Sequence, residues 1–388
     1  MLRGYKTEIN PTEEQKIIIH KTLGVCRFIY NFYLAHNKEI YEKEKRFVSG
    51  MDFSKWLNNE FIPNNPEYQW IKEVGSKAVK QSIMSAEKAF KRFFNKKSKF
   101  PRFKKKKNQD VKAYFPKNNK TDWTIERHKV KIPTLGFVGL KEKGYIPTNA
   151  IVKSGTISFK AGKYSVSIVV EDTKDYTFDE FNEGIGIDLG IKDLAIVSNL
   201  ESPFKNINKT KEIRRLEKQL KREQRKLSRK YESLKKQNKD KKGVATRQNI
   251  QKQIAKVQRI HNRLSNIREN NINQTVNKIV KTKPSYITIE DLKVRGMMKN
   301  RHLAKAVSQQ RFNQFKIKLQ CKCKIYGIEL RIVDRFYPSS KICSECGTIK
   351  KDLKLSDRTY ICSECGMIMD RDKNASINLA NAKIYKVA

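Results

Sequence analysis

Two groups of residues in this 388-residue chain have the types and spacing for chemistry. The first is a pair of thiol motifs, Cys343-Ser344-Glu345-Cys346-Gly347 and Cys362-Ser363-Glu364-Cys365-Gly366, with 15 residues between the pairs. Two such knuckles bring four thiolates to one tetrahedron, the geometry of a structural Zn²⁺ site. Four protein ligands leave no open position, so one zinc ion should fold the segment without entering a reaction. A redox pair would need only one Cys-x-x-Cys. The other thiols, Cys26, Cys321 and Cys323, lack ligand spacing and read as buried or neutral groups. An odd total of seven argues against a disulfide framework.

The second group is carboxylate. Gly184-Ile185-Gly186-Ile187-Asp188-Leu189-Gly190 places Asp188 in a short apolar strand, where an unpaired charge needs a cation, a hydrogen-bond cage or a metal. Ser285-Tyr286-Ile287-Thr288-Ile289-Glu290 is a second apolar strand ending in an acid, and Asp370-Arg371-Asp372-Lys373-Asn374-Ala375 opens a terminal helix. Singly, each acid has an ordinary role: a turn cap for Asp188, a solvated strand end for Glu290, a helix N-cap for Asp372. Jointly they have the order of an RNase H-like core, with acids on a first strand, a middle strand and a late helix. Three converging carboxylates would hold two Mg²⁺ ions. One ion would activate water and the other stabilise the leaving 3′-oxygen in phosphodiester hydrolysis.

These residues need elements to position them. Tyr5 to Ile9 reads as a strand, and Thr12 with Gln15 forms a capping-box start for a helix. A helical period follows to about residue 95, with Ile17, Ile18, Leu23, Phe28, Ile29 and Phe32 in one stripe and Val79, Ile83, Ala86, Ala89, Phe90 and Phe93 in another. Ile151 to Val170, around an Ala161-Gly162 turn, reads as a hairpin. With the first strand it could form a small β-barrel interrupted by the helical module. Leu194 to Ser198 reads as the hairpin partner of the Asp188 strand. Ile213, Leu216, Leu220, Leu227, Tyr231 and Leu234, then a break at Gly243 and Ile250, Ile254, Val257, Leu264 and Ile267, give an antiparallel helical hairpin.

Charge selects the partner. Lys and Arg number 84 against 40 Asp and Glu, a net charge of +44. Such repulsion suits a chain neutralised by a polyanion, and the cations run the whole length rather than filling one amphipathic helix, so nucleic acid fits better than a membrane surface. Residues 90–107 hold ten basic residues and no acid, interleaved with Phe90, Phe93, Phe94, Phe100 and Phe103. Read as a backbone-tracking surface, this segment nominates Lys96, Lys97, Lys99, Arg102, Lys104 and Lys105 as nucleic-acid contacts; the alternative is a solvated basic loop. The basic faces at 209–242 add a second contact region. No run of about 18 apolar residues or signal-like h-region occurs, so the expectation is an intracellular, cytoplasmic protein with no membrane partner.

The run from Asp334-Arg335-Phe336-Tyr337-Pro338-Ser339-Ser340-Lys341 through the thiol knuckles to Asp370-Arg371-Asp372-Lys373-Asn374-Ala375 resembles the C-terminal signature of the TnpB (OrfB) proteins of insertion sequences. Gly186-Ile187-Asp188-Leu189-Gly190-Ile191-Lys192 and Ile289-Glu290-Asp291-Leu292 are similar to that family's first two RuvC motifs. The likeness spans nearly the whole chain, including Lys99-Phe100-Pro101-Arg102-Phe103. It implies an α+β multidomain protein with an RNase H-like (RuvC) nuclease core carrying an inserted helical hairpin and zinc ribbon. An N-terminal wedge-like β-barrel would be interrupted by a helical recognition module. The implied division is 1–10 with 110–180 for the wedge, 11–109 for recognition, 181–340 with 367–388 for the nuclease, and 341–366 for the ribbon.

The resemblance also implies function: an RNA-guided, Mg²⁺-dependent DNA endonuclease related to compact type V CRISPR effectors. A guide RNA from the transposon end would pair with double-stranded target DNA beside a short motif, one chain per guide, near the nucleoid. Asp188, Glu290 and Asp372 would be catalytic, with Asp372 taken over Asp370 and Glu290 over Asp291. Retention of all three acids speaks against a nuclease-inactive repressor, and the ribbon and helical insertion suit a nuclease better than a strand-transferring transposase. The chain runs only a few residues past the third motif, so a C-terminal tail is not expected. With so much positive charge, the RNA-free protein is expected to be poorly soluble or unstable.

Overall fold

Alternation decides the first element. Tyr5, Thr7 and Ile9 are buried while Lys6 and Asn10 face water, the period-2 signature of a half-covered strand. The computed structural model describes residues 1–109, 111–117, 119, 122–240, 247–354 and 356–388, with 237–240 described by backbone only. The chain divides into two units, Met1–Thr173 and Lys174–Ala388.

In the first unit, β1 (Leu2–Asn10) leads into α1 (Glu13–Glu44), whose start carries the full capping box between Thr12 and Gln15. Helices α2 (Gly50–Trp56), α3 (Ile62–Asn64) and α4 (Ser76–Phe94) follow, with a π-turn at Leu57–Phe61 and a 3₁₀ stretch at Pro66–Glu73 around the Pro/Asn-rich break. Six strands complete the unit: β2 (Lys112–Pro116), β3 (Thr124–Ile125), β4 (Lys129–Ile132), β5 (Gly136–Leu140), β6 (Ile151–Lys160) and β7 (Lys163–Glu171). They join β1 in an antiparallel sheet ordered β2-β6-β7-β1-β5-β4-β3. Among the described residues no pairing closes this sheet into the expected barrel. The β6–β7 turn uses Ala161 and Gly162 at φ 53° and 81°, both in the left-handed region that tight hairpin turns require.

Helix α1 serves two cores. Ile19, Leu23 and Cys26 pack on the sheet with Val130, Val138, Val166 and Ile168, while Ile29, Tyr33 and Leu34 pack with Phe53, Leu57, Ile83 and Phe90 of the helical module. The predicted α1 stripe is corrected at its start. Ile17 and Ile18 are exposed and Ile19 is the buried residue, because a helix that must cover a sheet first and other helices later turns its apolar face along its length.

The second unit begins with β8 (Ile185–Asp188), β9 (Asp193–Val197) and β10 (Phe204–Lys205). A long hairpin follows, α5 (Lys211–Asp240) and α6 (Gln248–Val280), then β11 (Tyr286–Glu290), α7 (Val294–Met297), α8 (Ala304–Gln310), α9 (Phe312–Tyr326) and β12 (Glu329–Val333). The ribbon strands β13 (Thr359–Ile361) and β14 (Ile368–Asp370) precede α10 (Arg371–Ala380) and β15 (Lys386–Val387). The main sheet is mixed and ordered β10-β9-β8-β11-β12-β15, with β8, β11 and β12 parallel. The helix break expected at Gly243 lies outside the described residues. Along the seam of α5 and α6, Ile213, Leu216, Leu234, Ile250, Val257 and Leu264 are buried, but Tyr231 is exposed. Glu223 takes a buried place instead, and Gln253 Nε2 donates to its carboxylate at 2.8 Å.

The sheet has two faces of different kind. Ile185, Ile187, Ile287 and Ile289 point to a core with Val276, Ile279, Phe315 and Leu319 of α6 and α9. The opposite face is covered by α10, which lies so close to β8 that a Cβ on Gly186 would stand 2.1 Å from Ser376 O and 2.4 Å from Ala380 N. Both obstacles are backbone, so neither can step aside. Gly186→Ala is therefore expected to cost about 2–3 kcal/mol, the upper range for overpacking, read as a fall in the urea midpoint. An unchanged midpoint would mean that α10 does not pack as described.

Candidate active site and metal centre

The face of the sheet under α10 collects the three predicted acids. Pairing of Thr288 with Gly186 and Ile289 with Ile187 runs parallel, so one residue further Glu290 and Asp188 end their strands side by side on the α10 face. Asp372 sits in the first turn of α10. Asp188 is half-buried, and burial pushes its carboxyl up to about 7, with the Glu290 and Asp372 carboxylates adding to the rise. Glu290 is also pushed up by burial, opposed by a short hydrogen bond from Ser339 Oγ. Asp372 accepts from Arg371 Nη2 at 3.2 Å and faces Arg358 Nη1 at 3.6 Å.

Neighbouring acids have other work. Asp370 is the N-cap of α10, accepting from the backbone N–H groups of Asp372 and Lys373 at 2.9 and 3.1 Å. Asp291, next along the chain from Glu290, pairs with Arg335 at 3.1 Å and Lys316 at 3.6 Å. The structure thus brings together Asp188, Glu290 and Asp372, and leaves Asp370 and Asp291 in ordinary roles. All three are oxygen donors, and the guanidiniums of Arg371 and Arg358 stand beside Asp372.

Several residues that hold the acids were not singled out by sequence. Lys373 Nζ donates to the carbonyls of Val197, Ser198 and Leu200 at 3.2, 2.7 and 2.9 Å, tying α10 to the end of β9. Asn374 and Asn378, one turn apart, donate to Ile342 O at 2.7 Å each, and Asn374 Oδ1 accepts from Ser344 N at 3.0 Å. Both are buried. The available signal was the polar pair at i, i+4 on an otherwise small-residue helix.

The thiols form the second centre. Ligand atoms of Cys343, Cys346, Cys362 and Cys365 all lie within 4.8 Å of one another. Each knuckle closes on its glycine, with Gly347 N donating to Cys343 O at 3.0 Å and Gly366 N to Cys362 O at 3.2 Å, at φ values of 80° and 73°. Tyr360, fully buried beneath them, donates to Lys341 O at 3.1 Å. Four soft sulfur donors at this spacing form a zinc-type site. Of the remaining thiols, Cys26 and Cys323 are buried and pushed up to about 11 and 12 by burial. Cys321 is exposed, which removes the buried alternative for it.

In the first unit, Lys96, Lys97, Lys99, Arg102 and Lys105 are exposed. Lys104 is half-buried, its backbone paired with the Asn31 amide at 2.7 and 3.0 Å and its ammonium 4.9 Å from the Tyr30 ring. The interleaved rings divide: Phe90 is core, Phe100 packs against Phe90 and Phe93, and Phe94, Phe100 and Phe103 are each about half exposed. No described helix is long and apolar enough to cross a membrane.

Three family models match the chain: a helix-turn-helix domain over residues 1–46, the OrfB_IS605 model described as "Probable transposase" over 167–301, and a Cas12f1-like TNB domain over 312–379. A Streptomyces pristinaespiralis protein provisionally named an RNA-guided DNA endonuclease is 31% identical, over 98% of this chain and 89% of its own. InsQ of Escherichia coli K12, given the same provisional name, is 28% identical over 98% of this chain and 92% of its own. Among solved structures, Cas12f1 in a complex with sgRNA and target DNA superposes with a TM-score of 0.54 at 16% identity, covering 100% of this chain and 99% of that one. That likeness is one of fold, an α+β arrangement shared with a compact Cas12 effector.

Two measurements check the centres. Asp188 titrates near 7 when folded and near 3.8 otherwise, so below 3.8 both states hold the proton and the group is neutral to stability. As pH rises from 3.8 to 7 the unfolded chain ionises first and the fold loses stability. In metal-free buffer Asp188→Asn should thus be more stable than wild type at about pH 8 and equal to it at about pH 2.5, below the unfolded value; equal urea midpoints at the higher pH would contradict the burial of this carboxyl beside two other acids. Separately, Cys362→Ser should release the ribbon's zinc, read by atomic absorption. Full zinc retained in that variant would overturn the four-thiolate site.

Proposed function

The chain belongs to the OrfB (TnpB) family of insertion-sequence proteins, and from that premise we propose that it is an RNA-guided DNA endonuclease whose cutting site is Asp188, Glu290 and Asp372. The observation that carries the reading is the placement of those three acids at the ends of β8 and β11 and in the first turn of α10, near enough for Glu290 and Asp372 to raise the Asp188 carboxyl. A mixed sheet with three parallel central strands, flanked by antiparallel β9 and β15, suits an RNase H-like, RuvC-type core. The inserted α5–α6 hairpin and the ribbon fit the same reading. The sheet built from β1 to β7 is read as the wedge and α1 to α4 as the recognition module.

The oxygen donors suit Mg²⁺, and two ions are proposed. When bound, Mg²⁺ would supply the Lewis acidity that ionises water and stabilises a leaving 3′-oxygen. The chain's own residues prepare the place. Asp188, poor in compensating charge, favours a cation strongly over bulk water. Ser339 fixes the Glu290 carboxylate, and Arg371 with Arg358 sets the direction of Asp372. Lys373 and the two asparagines hold α10 so that none of the three acids can drift apart. The partners proposed are a guide RNA from the transposon end, one per chain, and double-stranded DNA read beside a short motif, with base pairing supplying sequence.

The matched description of a transposase favours a second reading, in which the same triad joins strands. One experiment separates them. The chain is co-expressed with its flanking transposon-end DNA, the bound RNA is sequenced, and a matching plasmid is offered with Mg²⁺. Wild type should linearise the plasmid, leaving hydrolysed ends. Alanine at Asp188, Glu290 or Asp372 should lower the rate by about 10² or more with RNA still bound, while Asp291→Ala should cut normally. Joined products in place of free ends would favour strand transfer, absence of a discrete RNA would remove the guide, and cutting by Asp188→Ala would remove the site.

A further inference from the structure

Helix α1 carries an unexplained glycine. Gly24 lies near the middle of a 32-residue helix, where glycine is destabilising relative to alanine. No neighbour requires it, since a Cβ there would meet nothing within 4 Å. Three residues on, Arg27 is half-buried and has no acidic partner and no hydrogen bond among the described residues. A partly buried guanidinium without a counter-charge is costly unless an anion reaches it.

Both residues line one cavity of about 380 Å³ in the first unit, within the range of small-ligand clefts. Its lining combines apolar Leu23, Val111 and Phe159 with the cations Arg27, Lys105 and Lys106, and the His20 ring, also in the lining, meets Phe159 edge-on at 4.8 Å. The ligand this chemistry selects is flat, apolar on its faces and anionic at one end. The bare backbone at Gly24 would let a ring slide against the helix towards Phe159, and the three cations would take a phosphate.

We propose that this cavity binds a single unstacked nucleotide, its base between the Gly24 backbone and Phe159 and its phosphate at Arg27, Lys105 and Lys106. It rests on the nucleic-acid reading of the chain, although not on guided cutting. The nucleotide could come from RNA or from DNA, and the ligand chemistry is the same. The inference gives Lys105 a defined role, adds Lys106 from the same basic segment, and brings in Arg27 and Gly24 from outside it.

The test uses the full chain and fluorescein-labelled single-stranded decamers of mixed sequence, one RNA and one DNA. Gly24→Leu should fill the cavity while preserving or raising the melting temperature, because leucine is the better helix former and meets open space. Its affinity for RNA, for DNA or for both should fall about tenfold or more, the effect of losing one stacked base. Loss confined to one decamer identifies the source. Arg27→Gln should fall by more than Lys143→Gln, a control for simple loss of one exposed charge. If Gly24→Leu lowers the melting temperature, Arg27→Gln against that control decides alone. Gly24→Leu binding both decamers within about twofold of wild type, or Arg27→Gln matching the control, overturns the proposal. If guided cutting fails but Gly24-dependent decamer binding persists, the pocket stands and the endonuclease reading falls.

Discussion

Asp188, Glu290 and Asp372 stand near enough for the two neighbours to act on Asp188, and several contacts around α10 keep them there. The repulsion is visible in Asp188, whose carboxyl is driven up to about 7 by burial and by its two neighbours. Left to itself, α10 would relieve the strain by lifting its first turn away from β8. Three features oppose this. Gly186 lets the helix backbone sit in contact with the strand, Lys373 donates to three carbonyls beyond β9, and Asn374 with Asn378 fastens the helix to the loop at Ile342. Each is a local contact of ordinary strength, near 1 kcal/mol for a typical hydrogen bond, but they act on one short helix and their effects are coupled.

The same geometry joins the thiol centre to the acids. Strand β14 of the ribbon ends at Asp370, which caps α10 and so sets where Asp372 begins its turn. Asn374 Oδ1 accepts from Ser344 N, inside the first thiol knuckle. A metal that closes the ribbon would therefore do more than stabilise a loop. It would fix both ends of the segment that delivers the third acid, and so would position the oxygen-donor site without touching it.

Much of this was legible in the sequence because it rested on short-range rules. Thr12 with Gln15 gave the helix start, Ala161-Gly162 gave a hairpin turn, and Cys-x-x-Cys-Gly, twice, gave a thiol cluster. The strand acids were legible because a carboxylate in an apolar run is costly wherever it falls. What escaped depended on partners distant in the chain. Ile17 and Ile18 fit a helical stripe as well as Ile19 does, and only the direction of the sheet beneath α1 chooses among them. Tyr231 fits the heptad of α5, yet Glu223 is buried because Gln253, thirty residues on, offers its amide. Lys373 looks like one more surface cation until the carbonyls past β9 are in place.

The net charge of +44 takes on a different meaning once the pairs are drawn. On α5 two acids turn inward, Glu217 holding Arg268, Lys305 and Gln309 and Glu223 buried against Gln253, while Glu212 and Glu232 pair with Arg263 and Lys235 at the surface. Lys211, Arg214, Arg215 and Lys218, which recur with the helical period along one side, have no acidic partner among the described residues and line a shallow basic groove. Part of the minority charge on this helix thus works within the fold, and the four cations form a stripe with no acidic partner among the described residues. Paired charges change little with salt, whereas an unpaired stripe loses its reach beyond about 8–10 Å at physiological ionic strength. The excess is therefore a property of particular surfaces, and a polyanion bound there would remove repulsion that the fold itself leaves uncompensated.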